Sequence, residues 1–221
     1  HPDLTRLVFE KTHGTAFFVH QLLKGLADRD YFQRDAQNKT WTIDLGRVKS
    51  LQVSGNVVEF MQTRLNRLPP EVTDLMRIIG AVGHNVDLSL LSVITGKSTE
   101  MISQILKQPF EDRLLFKRHN HVYFAHDKIQ QACYQLNQTS ELPRLHFSIA
   151  DTLIDHDLFH STDDLFNLVG HLDKGFCFID KNFEQYIDLY MMAALKSKEI
   201  SAYKEFLIYV KQAMSLLQDS L

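Results

Sequence analysis

The stretch "LLFKRHNHVYFAHDKIQQACYQL", Leu114 to Leu136, decides the fold. Its first half alternates with a period of two. Phe116 and Arg118 fall on the side of a strand opposite Lys117, Val122 and Phe124 share one face, and Tyr123 takes the other. His119 and Asn120 sit where a tight turn belongs. The pattern predicts a β-hairpin that runs into an amphipathic segment. Three helical stretches come before it. In "LPPEVTDLMRIIGAVG" (68–83), Pro70 suits a first turn, where its missing N–H costs nothing, and Val72, Leu75, Met76, Ile79 and Val82 form the buried face. Asp87 is placed to cap a short second helix, with Leu90, Leu91 and Ile94 inward and Gly96 at the exit. Ser98 or Thr99 caps a third, with Met101, Ile102, Ile105 and Leu106 on its face, and Pro109 kinks or ends it. Three short helices followed by a hairpin is the winged-helix order, expected over 69–138.

The flanks read as helical. Leu4, Leu7 and Val8 share a stripe that "THG" stops, with Gly14 past the end. Phe17, Phe18, Leu22, Leu23 and Leu26 make a second stripe. "RDAQNKTWTID" is a loop or short hairpin, and helical spacing resumes from Asn56 to Leu68. After the winged helix, Leu145, Ile149, Ala150 and Leu153 form one stripe. "STDD" (Ser161 to Asp164) resembles a capping box ahead of Leu165, Phe166, Leu168, Val169 and Leu172. Two more helices follow, and Ala202, Tyr203, Phe206, Tyr209 and Ala213 predict antiparallel pairing as in solenoid repeats. The fold class expected is mainly α: a helical lid (1–68), a winged-helix domain (69–138) and a helical-repeat, TPR-like region (139–221).

Composition excludes several classes. Of 221 residues, 44% are hydrophobic and 23% charged, enough for a packed core, and the net charge of −3 argues against a nucleic-acid or anionic-membrane surface. Cys133 and Cys177 are too few for a disulfide framework, so a reducing, cytoplasmic location is the simple reading. No apolar run approaches a membrane span. The chain opens at His1 directly in helical patterning, so it is expected to be a piece of something longer.

Candidate chemistry is sparse. "TGKST" (Thr95 to Thr99) copies the tail of a phosphate loop, but the upstream glycine is missing and the preceding segment is helical, so Gly96 reads as a helix stop and Ser98 as a cap. The histidines at 119, 121 and 126, and the pair His156 and His160, lack evident further ligands, so a metal site is not expected. The pair reads better as polar residues at a helix end. A DNA-reading third helix is disfavoured, because residues 98–115 carry two basic side chains against three acidic ones. His126, followed by Asp127, invites a histidine-kinase phosphoacceptor reading. Yet it sits at a strand-to-helix junction, not mid-helix, and no Pro follows. An imidazole there can meet an anion beside a helix N-terminus. On the residues alone, capping or packing is its first reading.

In order along the chain, "KTHGTAFFVHQLL", "WTIDL", "NVVEFMQTRLNRLPPEVTDLMRIIGAVG", "YFAHDKIQQACYQL", "RLHFSIADTLI", "FNLVGHLDKG" and "AALKSKEISAYKEFLIYVKQAMSLL" resemble the predicted-ATPase segment of fused serine/threonine kinase–histidine kinase signalling proteins, of the STAND class of AAA-like ATPases. The resemblance covers nearly the whole chain. It implies a phosphate loop upstream of His1 and ATP or ADP bound in the longer protein, with no cofactor or catalysis in this piece. It implies that His126 points at the β-phosphate of ADP, with Asp127 a weaker companion. The partners implied are adjacent domains of the same polypeptide and other proteins, not nucleic acid or membrane. The family's "GNPFF" is "GTAFF" here, Gly14 to Phe18, which puts nucleotide contact by that turn in doubt. The alternative is a free-standing helical protein-interaction module.

Overall fold

The computed structural model describes residues 2–27, 31–34, 41–43, 57–180 and 182–219. The protein is mainly α with two small antiparallel sheets. It divides into two compact units, 1–69 and 70–221.

In the first unit, α1 (Pro2–Thr12) and α2 (Ala16–Ala27) are separated by His13 and Gly14, both left-handed. Gly14, at φ +74°, adopts that geometry without a Cβ penalty, which is why the helix stops there. Val8, Leu22 and Leu26 form the centre of this core, with Leu4, Leu7 and Phe60 packed around them. β1 (Phe32–Arg34) pairs antiparallel with β2 (Trp41–Ile43), so the expected loop or hairpin is a hairpin. Its connecting residues, like Asn56, lie outside the described residues. α3 (Val57–Leu65) donates from Arg64 to the buried Gln21 of α2.

The second unit opens with α4 (Pro70–Val82), starting at Pro70 as its sequence predicts. Next comes a short strand, β3 (Asn85–Asp87), which the periodicity did not reveal. Three residues are too few to show a period of two, and β3 exists because β5 offers it a paired edge. Asp87 then caps α5 (Leu88–Thr95), accepting from the Ser89 N–H at 2.6 Å, and Gly96 closes that helix at φ +65°. Ser98 caps α6 (Thr99–Ile105), and Pro109 sits in a separate turn, α7 (Lys107–Glu111). Met101, expected on the buried face of α6, is 48% exposed; Ile102 and Leu106 carry the burial. β4 (Leu115–Arg118) and β5 (His121–Phe124) complete an antiparallel sheet in the order β3–β5–β4. The turn between them holds His119 at φ +54°. Its Asn120 amide donates to the Asp87 carboxylate, so one aspartate both caps α5 and anchors the hairpin tip. Helix, strand, two helices with the short turn α7, and hairpin follow the winged-helix order.

α8 (Asp127–Tyr134) returns across α4. A Cβ on Gly80 would lie 2.8 Å from the Tyr134 backbone nitrogen, so glycine is what lets these helices touch. Two helical hairpins follow, α9 (Leu142–Asp155) with α10 (Thr162–Gly175), and α11 (Phe183–Glu199) with α12 (Tyr203–Asp219). Their short links make each pair antiparallel. The predicted capping box forms in full between Ser161 and Asp164 at the start of α10. Tyr190 of α11 donates to Asp173 of α10 at 2.9 Å, and Phe166 of α10 stacks with Tyr209 of α12. Tyr203, expected in the paired face of α12, is instead 61% exposed. Of fourteen exposed large hydrophobic side chains among the described residues, nine lie between Met191 and Leu217, which leaves this last hairpin with an open apolar surface.

Candidate functional site

β5 delivers the chain to α8 under tight control. The Phe124 N–H donates to the His84 carbonyl and the Ala125 N–H to the Leu114 carbonyl, so the backbone is pinned on both sides just before His126. His126 is extended (φ −162°, ψ 144°) and is the N-cap of α8. Its Nδ1 accepts from the Lys128 N–H at 3.1 Å, doing what a Ser or Asp side chain does at other helix starts. A nitrogen that accepts carries no proton, so the neutral ring holds its proton on Nε2, a donor. Asp127 follows in the first turn, where a carboxylate is favoured by the helix dipole. It is largely exposed, and its carboxylate lies 3.5 Å from His84 Nδ1. His84 was not singled out by any sequence pattern; only the β3–β5 pairing brings it here.

The other sequence candidates do not assemble. Among the described residues, no group of three or more His, Cys, Asp or Glu is placed to hold a metal ion. His156 and His160 are not one helical pair, because α9 ends at Asp155, His156 is its C-cap, and Asp157 turns the chain at φ +50°. Lys97, of the phosphate-loop look-alike, pairs with Glu71 at 3.4 Å. No helix among the described residues is long and apolar enough to cross a membrane.

A second histidine arrangement went unseen in the sequence. His146 of α9 and His171 of α10 are buried, with Nδ1 atoms 2.8 Å apart. His171 Nε2 lies 3.3 Å from the Val82 carbonyl at the end of α4. A carbonyl only accepts, so His171 Nε2 carries the proton and its Nδ1 is the acceptor. His146 Nδ1 must then donate, which leaves its Nε2 to accept from the Tyr134 hydroxyl of α8 at 3.0 Å. The result is a one-directional chain: Tyr134 O–H to His146, His146 N–H to His171, His171 N–H to Val82. It joins four helices with every group satisfied. Burial pushes the His146 pKa down to about 3, with the His171 and Lys174 charges adding to it. Burial and Lys174 push His171 down to about 4, against the bond to Val82. Both rings are therefore neutral at pH 7. The signal that could have found them is positional. His146 continues the Ile149–Leu153 stripe, and His171 lies between Leu168 and Leu172 on the buried face of its helix.

Two clefts flank this chain. One, of about 250 Å³, lies between the end of α4, α8 and α10 and is lined by Gln130, Tyr134, Phe166, Asn167, Gly170 and Lys174 among others. The other, of about 310 Å³, lies between the winged-helix sheet and the α9–α10 turn, with Asp87, His121, His160 and Asp164 on its walls. Asn167 and Val82 border both.

No protein-family model matches the chain, and no solved structure matches it. Over 106 residues, 48% of its length, the chain is 28% identical to hybrid signal transduction histidine kinase G of Dictyostelium discoideum. The chain covers only 3% of that protein's length. The similarity links the chain to a signal-transduction kinase.

Proposed function

We propose that the chain is the regulatory, non-catalytic part of a STAND-type nucleotide-binding module in a longer signalling protein. It closes over ADP through His126 and transmits nucleotide state to adjacent domains of the same polypeptide. The observation that carries this reading is the capped geometry of His126. Its Nδ1 is committed to the start of α8, so its proton sits on Nε2, beside a helix N-terminus that favours anions. With Nδ1 held by the backbone, the ring keeps one orientation beside that helix N-terminus. The likeness to a signalling histidine kinase supports the setting. The open apolar surface of α11 and α12 supports the second half of the reading, because a domain that receives the signal needs a surface to pack on.

The test uses the longer polypeptide that includes the phosphate loop. One charge-assisted hydrogen bond to ADP is worth about 1.5–3 kcal/mol, so His126→Ala should weaken ADP roughly ten- to hundredfold. His126→Asn keeps a capping side chain but moves the donor, so it should also bind ADP weakly while melting normally. Wild-type ADP affinity in both variants, measured by calorimetry, would sink the reading.

A further inference from the structure

Three glycines of the second unit face different surroundings. A Cβ on Gly80 would strike the α8 backbone, and one on Gly175 would lie 2.6 Å from the Phe147 nitrogen, so packing demands glycine at both. Gly170 sits in the middle of α10, and a Cβ there would meet nothing within 4 Å. A mid-helix glycine lowers helix stability relative to alanine, and no contact among the described residues explains it. The space it leaves is the cleft of about 250 Å³. Among the described residues, no Asp or Glu lines that cleft. Lys174 is its charged side chain, the amides of Asn167 and Gln130 come from α10 and α8, and the rings of Phe166 and Tyr134 complete its walls. Lys174 Nζ stands 5.7 Å from the centre of the Tyr134 ring.

We propose that this cleft binds a small aromatic carboxylate, whose carboxylate pairs with Lys174 and the Asn167 and Gln130 amides while its ring rests on the bare helix surface at Gly170. A single lysine with two amides suits one negative charge. The lining has no guanidinium fork of the kind that best suits a phosphate dianion. The volume is below that of a drug-sized site, which points to a ligand of one ring. The ligand would touch α4 and α8 on one side and α10 on the other. It would therefore tighten the packing of the first helical hairpin on the winged helix, independently of nucleotide at His126. Neutralising Lys174 also removes one of the charges that hold His146 and His171 below their ordinary pKa.

Benzoate is the probe, titrated into the isotope-labelled 221-residue chain and followed by amide chemical shifts. Saturable shifts at Gln130, Asn167, Gly170 and Lys174, with a dissociation constant of about 1 mM or tighter, are expected. The two buried histidines should titrate at higher pH when benzoate is bound. Lys174→Gln should weaken binding at least about tenfold. Gly170→Leu should abolish it by filling the cleft, while Gly170→Ala raises the melting temperature. Absence of saturation, shifts confined to other residues, or equal binding of neutral benzamide would overturn the assignment. If Gly170→Leu fails to fold, the Lys174→Gln and benzamide comparisons decide alone.

Discussion

The second unit holds two histidine sites that differ in one respect, what surrounds the ring. At the start of α8, His126 Nδ1 caps its own helix, and its neighbours Asp127 and Lys128 are exposed. Between α9 and α10, His146 and His171 spend all four nitrogens on protein partners, at 1% and 3% exposure. The buried pair is held by a low dielectric in which any unmet polar group is costly, so its worth is structural: it fixes how the helical hairpin seats on the winged helix. The capping histidine is only half-buried, so losing it removes less packing than losing either buried ring. Rings of one chemistry thus do different work: the buried pair joins four helices, and the capping ring holds the start of one.

The largest expected effect breaks the buried chain. His171→Leu orphans the Val82 carbonyl and the His146 Nδ1–H together and should cost about 2–4 kcal/mol in urea unfolding. The double change His146→Phe with His171→Leu removes both polar partners at once and should be less destabilising than the single change predicts by addition. A double variant as damaged as the sum would show that the pair is packing alone. Acid gives the next effect. Both rings titrate lower folded than the 6.5 expected of them unfolded, so the unfolded chain binds more protons as pH falls below that value. Their contribution is fully present above about pH 6.5 and is lost progressively down to about pH 3–4. The melting temperature should fall across that window, and much less so in the double variant. The smallest effect belongs to His126→Ala, which removes an N-cap and should cost about 1 kcal/mol, with His126→Asn restoring most of it. A loss as large as that of His171→Leu would erase the distinction between the two sites.

Much of the second unit was legible because its signals are local. Pro70 starts α4, Asp87 and Ser98 cap α5 and α6, Ser161 and Asp164 close a capping box, and the change of period after Leu114 marks the hairpin. Each depends on residues within a few positions of one another. The capping geometry of His126 belongs here too, since a side chain with an acceptor before a helix is a local pattern. Where expectation failed, burial decided. Met101 and Tyr203 stand at helical spacing, but among the described residues the faces they present stay exposed.

The sequence by itself determined the helices, their caps, the hairpin and the position of His126, because backbone hydrogen bonding and side-chain capping act over one or two turns. Only the tertiary structure decided that β3 is a strand, since its partner lies some thirty-five residues on. It alone decided that His146 and His171 meet, since their 25-residue separation carries no periodic signal. It also told Gly170 from Gly175. Both are glycines in one helix, and they differ only in whether another backbone or an open cleft stands where a side chain would go.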